Sequence, residues 1–277
     1  MSKKNIINFQ SIDSIQLYLN SGNADTYING SKKSSVVFFF EDPITVDRKA
    51  VEKRISVVNA QFPVTWYLIN ATNNAIIING TYYYIPYGNY NVTNFIQTCI
   101  STFGSNFNVS YNAITNKFTF TNSVSDFTFT DNPINSIFKI LGFQTGNSYT
   151  SNNKSLTAPY SVDFGGLLKL EIKSSTFTLQ NCNSFNKGRS RTICSVPVNA
   201  NQNGVIMYNN FTQYKSIMKN SIITDINIDI TDEFKNFIDF NNHDWSMTIQ
   251  IDIYSENVED IDTLYDVYEY FRSDNWY

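Results

Sequence analysis

Residues 211–254 read FTQYKSIMKNSIITDINIDITDEFKNFIDFNNHDWSMTIQIDIY, and this stretch decides the fold class. Its first half sets Ile222, Ile226, Ile228 and Ile230 among Asp225, Asn227 and Asp229. Its second half alternates Trp245, Met247, Ile249, Ile251 and Ile253 with Ser246, Thr248, Gln250, Asp252 and Tyr254. A two-residue period of this length predicts half-buried β-strands, each with one face on a core and the other in water. Ile249 is expected to be fully sequestered. Nothing in the stretch has the look of a reactive constellation, so it reads as structure.

Working toward the N-terminus, more strands are expected. Residues 35–40 (SVVFFF) form an apolar run stopped at Asp42-Pro43, because proline cannot donate to a ladder. Residues 51–65 read as a strand bent at Pro63, and 66–70 with 75–78 read as a hairpin around Thr72-Asn73-Asn74. Residues 82–85 continue as a strand into Pro86. Residues 1–33 are polar and weakly periodic, and read as an arm with one short strand at 14–19. Strands are expected again at 167–173, 176–179, 192–198 and 205–208. Many short strands separated by turn signals argue for a mainly β sandwich.

One segment has a different texture. Asn91 is placed to cap a helix whose Phe95, Ile96, Cys99, Ile100 and Phe103 share one face. Strands are expected at 107–111, 117–121 and 127–130. Asn132 and Pro133 then predict a second short helix, ending at Gly142, with Ile134, Ile137, Phe138 and Leu141 on one side. Residues 81–146 therefore read as a small α/β module inserted in the sandwich and projecting from it.

Composition sets the limits on function. The 277 residues are 42% hydrophobic, so a sizeable core is available, and 16% aromatic, with 22 Phe and 18 Tyr. Only 16% are charged. A weakly charged, β-prone surface suits a protein that packs against neighbours. An AT-rich genome would enrich Asn, Ile, Tyr and Phe in the same way, and both readings stand. The charge is uneven: from Asp252 onward eight acids face one base, a net −7, while the preceding residues carry 19 bases and 16 acids, a net +3. Beyond Lys3-Lys4 and Lys32-Lys33 there is no basic block, so direct nucleic-acid binding is not expected. The start MSKKNIINFQ has no apolar signal-peptide region, and no stretch has the length of a transmembrane segment. Asn-x-Ser/Thr triplets such as those at Asn70 and Asn91 are read as chance in so Asn-rich a chain.

The search for chemistry returns little. Cys99, Cys182 and Cys194 match no zinc spacing and read as buried thiols, with a Cys182–Cys194 bridge across a hairpin as the alternative. The one histidine, His243, lies in Asn241-Asn242-His243-Asp244 and reads as a solvated turn residue. A His-based triad would have to use it, and Asp244 is badly placed to orient its ring. Asp225, Asp229, Asp232 and Glu233 read as solvated strand and turn acids rather than a glycosidase pair or an EF-hand loop. Phe164-Gly165-Gly166-Leu167 lacks the Lys-Ser/Thr of a phosphate loop. No catalytic, cofactor-binding or metal residue is nominated. Neither an enzyme nor a cofactor is expected.

Near the C-terminus, Val258, Ile261, Tyr265 and Tyr268 recur at helical spacing, with Leu264 and Phe271 beside them. Residues 255–277 therefore read as an acidic amphipathic helix. Val258, Ile261, Tyr265, Tyr268 and Phe271 either pack on their own domain or dock on an adjacent subunit.

Several segments, taken in order, resemble one family. They are NADTYINGSKKS (23–34) before an aromatic strand, IPYGNY (85–90) leading into a helix, ILGF (140–143), GVIMY (204–208) and IDFNNHDWSMT (238–248). Together they look like the penton, or minor capsid, proteins of virophages, Polinton-like viruses and related large DNA viruses. The likeness runs from about residue 11 to residue 254. It implies a single eight-stranded jelly roll over about 34–80 and 158–254, and a structural virion protein that forms homopentamers at capsid vertices. The implied partner is a double-jelly-roll major capsid protein, with a vertex fibre or host receptor as a further candidate. The implied location is the virion, after synthesis in the host cytoplasm. A jelly-roll carbohydrate-binding protein of host attachment is the alternative.

Overall fold

The computed structural model describes residues 6–45, 52–177, 181–183 and 187–259. Numbered in chain order, its strands begin with β1 (Ile6–Asn20), β2 (Thr26–Tyr27), β3 (Ser35–Thr45), β4 (Glu52–Pro63), β5 (Ala75–Ile78) and β6 (Thr81–Tyr84). Helix α1 (Val92–Phe103), β7 (Phe107–Asn112), β8 (Lys117–Asn122), β9 (Thr128–Thr130) and the one-turn helix α2 (Phe138–Leu141) follow. Next come β10 (Ser148–Thr150), β11 (Ser155–Thr157), β12 (Lys169–Lys173), β13 (Cys182–Asn183), β14 (Gly188–Arg189) and β15 (Thr192–Pro197). The last are β16 (Val205–Asn209), β17 (Ser216–Met218), β18 (Ile222–Thr231) and β19 (Ser246–Glu259). The protein is mainly β. It divides into two compact units, one made of the residues up to Thr65 and from Lys169 on, the other Trp66–Leu168.

The first unit is a sandwich of two antiparallel sheets. One runs β1-β19-β4-β16, with β17 also on β4; the other runs β15-β12-β18-β3-β2. With β16 and β17 counted as two pieces of one strand, and β2 as a short edge addition, eight strands remain. The first sheet then takes the first, eighth, third and sixth in chain order, and the second takes the fifth, fourth, seventh and second. That alternation between sheets is the jelly-roll topology, two interlocked Greek keys. The core is aliphatic with an aromatic end: Ile226, Ile228, Ile230, Ile249 and Ile251 have no exposed surface, and Trp245 packs near Phe38 and Phe62.

Local details depart from simple alternation for physical reasons. In β18 a register shift between Ile223 and Asp225 turns Ile223 into the core and leaves Ile222 about half exposed, so the expected inward set is corrected by one residue. The same shift carries residues 40–43 of β3 out of the ladder, so Pro43 interrupts the pairing and the strand resumes at Ile44. In β19 the expected water-facing partners are not all wet: Thr248 and Asp252 are buried. This strand is an inner one, lying between β1 and β4. Thr248 Oγ1 bonds to Asn59 Oδ1 at 3.1 Å, and Asp252 pairs with Lys215 at 2.9 Å. The N-terminal segment carries far more strand than expected. β1 is 15 residues long and registers with β19 from Ile6↔Glu259 to Asn20↔Ser246.

The unit Trp66–Leu168 has two small sheets, β10-β9-β5-β6 and β11-β8-β7. Phe95, Cys99 and Phe103 of α1 share a core with Phe118, Phe120, Phe127, Phe129, Phe138 and Phe143. Neighbouring ring centroids lie 5.0 Å apart at Phe120–Phe129 and 5.1 Å at Phe127–Phe129. Asn91 caps α1 by accepting from the Asn94 amide at 2.8 Å, and Gly104 ends it at φ +100°, a conformation that favours glycine. This unit reaches beyond 81–146 on both sides, because β5 pairs with β6 and β9, while β10 and β11 pair with β9 and β8. The second helix is shorter than expected. Asn132 closes a turn onto the Ile134 amide, and the backbone of 135–137 bonds to Ala75 rather than to itself. Ile134 is therefore exposed, and only Phe138–Leu141 turn helically.

Candidate functional site

Of the five residues nominated as an interface, Val258 lies in β19, opposite Ile7 of β1. A helix beginning there is corrected: β1 offers a ladder partner through Ile6, and that ladder satisfies the backbone along a strand. Ile261, Tyr265, Tyr268 and Phe271 lie outside the described residues. The two units account for the remaining candidates as follows.

His243 is exposed in a turn, with Nδ1 3.2 Å from the Phe240 carbonyl and 3.0 Å from that of Asn241. Asp244 turns elsewhere, accepting from Lys33 Nζ at 2.7 Å and Ser21 Oγ at 3.1 Å. The Lys33 ammonium, above all, holds its carboxyl below the usual aspartate range. Asp229 accepts from Ser35 Oγ, and Asp225 from Thr224 Oγ1 at 3.0 Å. Among the described residues no group of three or more His, Cys, Asp or Glu is arranged to hold a metal ion. No described helix is long and apolar enough to cross a membrane.

The cysteines are free. Cys99 and Cys194 are buried, but Cys182 is exposed, which corrects the expectation of three buried thiols. It sits on the short β13–β14 hairpin. Burial pushes the Cys194 thiol up to about 12. Tyr208, beside it, is also raised to about 12, first by burial and then by that thiol.

Two surface features of the sandwich stand out. The outer face of the β1-β19-β4-β16 sheet is largely amide and hydroxyl, and Tyr18 at one edge and Val205 and Met207 at the other are more than half exposed. The second feature is a cavity of about 670 Å³ beside β15, whose walls include Lys169, Glu171, Asn181, Tyr214, Glu233 and Phe234. Glu171 is buried on β12, flanked by Lys173 Nζ at 3.0 Å and Lys169 Nζ at 3.5 Å. Strand alternation puts Leu170 and Ile172 in the core and leaves Glu171 on the opposite face, in register with Thr231 and lining the cavity together with Glu233 and Phe234.

No signal in the sequence marked this cavity. Its walls come from four stretches separated by about ten to twenty residues, and none carries a recognisable spacing. Two of the exposed edge residues, Val205 and Met207, did fall within the segment 204–208, but that segment was read as a strand and for its family resemblance, not as exposed surface.

No protein-family model matches the chain, and no curated protein matches it. Among solved structures, the chain is similar to the mavirus penton protein, known from a crystal structure of selenomethionine-labelled protein. The TM-score is 0.49 and the identity 13%, over 87% of this chain and 100% of that one.

Proposed function

We propose that this chain is a penton-type minor capsid subunit, a structural virion protein that assembles as a homopentamer at capsid vertices beside a double-jelly-roll major capsid protein. The observation that carries this reading is the ordered set of segments at 23–34, 85–90, 140–143, 204–208 and 238–248, which resembles that family. The eight-strand jelly-roll topology agrees with it. The exposed Tyr18, Val205 and Met207 support burial against neighbours, since a ring joins two different patches of each copy. In this reading Ile261, Tyr265, Tyr268 and Phe271 anchor the acidic tail on an adjacent subunit, and the virion is the site of action.

Light scattering after size exclusion tests the assembly. The full chain, alone or co-expressed with the major capsid protein of the same virus, is expected to give a species of five times 31.8 kDa. A monomer under both conditions overturns the pentamer.

A further inference from the structure

The cavity beside β15 has the makings of a binding site. Its deepest polar group is Glu171, only 5% exposed. Glu171 Oε2 accepts no aligned hydrogen bond among the described residues, although Lys173 Nζ lies 3.0 Å away. That ammonium also donates to Thr231 Oγ1 at 2.7 Å, so it meets Glu171 as an ion pair rather than as an aligned donor. A buried carboxylate oxygen without an aligned donor is costly, and a ligand hydroxyl would supply the donor.

The charges in and around the cavity balance. Lys169 and Lys173 stand against Glu171 and Glu233, so neither an anion nor a cation gains from entering. A neutral ligand rich in hydroxyls fits this pattern better than a phosphate or a metal ion does.

The aromatic members are held in place before any ligand arrives. Tyr214 is about half exposed, yet Asn210 grips its backbone at both ends: Oδ1 accepts from the Tyr214 amide at 3.0 Å, and Nδ2 donates to its carbonyl at 2.8 Å. Its hydroxyl donates to Asn181 Oδ1 at 3.3 Å, and Asn181 is itself fixed by donating to the Thr192 carbonyl and Ser216 Oγ, each at 2.7 Å. In the turn after β18, buried Asp232 accepts from the amides of Phe234 and Asn236, both at 2.8 Å. That turn presents Glu233 and the half-exposed Phe234. Rigid aromatic faces and converging polar groups lower the ordering cost of binding.

We propose that this cavity is a saccharide site, which takes a neutral oligosaccharide with the apolar face of one ring on Tyr214 and hydroxyls donated to Glu171. Its volume lies within the roughly 300–1,000 Å³ of small-ligand sites and leaves room for more than one sugar ring. Phe234 offers a second face, and Glu233 and Lys169 take hydroxyls at the rim.

The test is saturation-transfer NMR on the full chain with lactose, maltotriose and diacetylchitobiose, and with sialyllactose and inorganic phosphate as charged comparators. Transfer to at least one neutral saccharide is expected, in preference to both comparators. Glu171→Gln and Tyr214→Ala should each weaken it roughly tenfold or more. Tyr214 is exposed, so its variant reports even if Glu171→Gln does not fold. Absence of transfer to every neutral saccharide, preference for a charged probe, or unchanged affinity in Tyr214→Ala overturns the proposal. None of these readouts depends on the oligomeric state, so the pentamer can fail while this site stands, and the reverse.

Discussion

Replacing Trp245 probes the packing that joins the two sheets of the sandwich. The indole is 1% exposed, with centroids 6.4 Å from Phe38 and 6.2 Å from Phe62. Its Nε1–H donates to the Lys33 carbonyl at 2.7 Å, and its backbone amide donates to Ser21 Oγ at 2.9 Å. Truncation to alanine removes the ring and leaves a cavity, a loss of about 3–5 kcal/mol. The Lys33 carbonyl also loses its donor, which adds about 1 kcal/mol. Trp245→Ala should therefore cost about 4–6 kcal/mol, comparable to the whole stability of many domains, about 5–15 kcal/mol. With a urea slope of about 2 kcal/mol/M, the midpoint of the sandwich transition moves down by about 2–3 M. Trp245→Phe keeps most of the packing but not the indole N–H, and should cost about 1–3 kcal/mol. Urea titration followed by circular dichroism, with calorimetry to separate the two units, measures both variants. A shift below about 0.5 M for Trp245→Ala refutes the placement of this ring as the junction of the core.

The unit Trp66–Leu168 should fold cooperatively when expressed alone, and Phe120→Ala should destabilise it by about 3–5 kcal/mol in thermal unfolding. Iodoacetamide at mildly alkaline pH should label Cys182 quickly in the native protein and Cys99 and Cys194 only on unfolding, as read by mass spectrometry. The Cys194 thiol is raised in the folded state, so its contribution to stability is complete below its unfolded value of about 8.5 and declines as pH rises toward about 12; Cys194→Ala flattens that alkaline limb. The opposite sign applies to Asp244, whose carboxyl is lowered by Lys33: its contribution is present above the unfolded value of about 3.9 and is lost as pH falls, and Asp244→Asn should flatten the acid limb of a stability–pH profile. Truncation after Glu259, which spares the β1–β19 ladder, should leave the melting temperature nearly unchanged and reduce incorporation into capsids, as read by co-assembly with the major capsid protein.

Much of the sandwich was legible because its strands obey a two-residue period. Trp245, Met247, Ile249, Ile251 and Ile253 are all buried as their spacing predicts. What alternation could not convey is where a ladder slips: the shift at Thr224 exchanges Ile222 for Ile223, and no local residue announces it. The N-terminal strand was under-read because much of its order comes from β19, more than two hundred residues away, rather than from its own composition. Helix α1 was clear from its cap and stripe. The helix expected from Asn132 failed because β5 captured the backbone that helix needed. The tail pattern was read as helical from Val258, whereas the ladder with Ile7 keeps that residue extended. The cavity was not legible at all, since Glu171, Tyr214 and Phe234 are brought together only by the tertiary fold.

The pairing of β1 with β19 also sets the order of events during synthesis. Fourteen register partners join β1 to β19, the first and last strands of the described residues, and β4 waits for the same strand. At roughly 5–20 residues per second, about 10–40 s pass between release of β4 and of β19. Meanwhile Trp66–Leu168, whose sheets pair only within the unit, can collapse on the ribosome. The early strands spend that interval with unpaired edges, the condition under which nascent β-chains aggregate. Expression at low temperature with a chaperone holdase should raise soluble yield, and refolding should be slow, limited by closure of this longest loop.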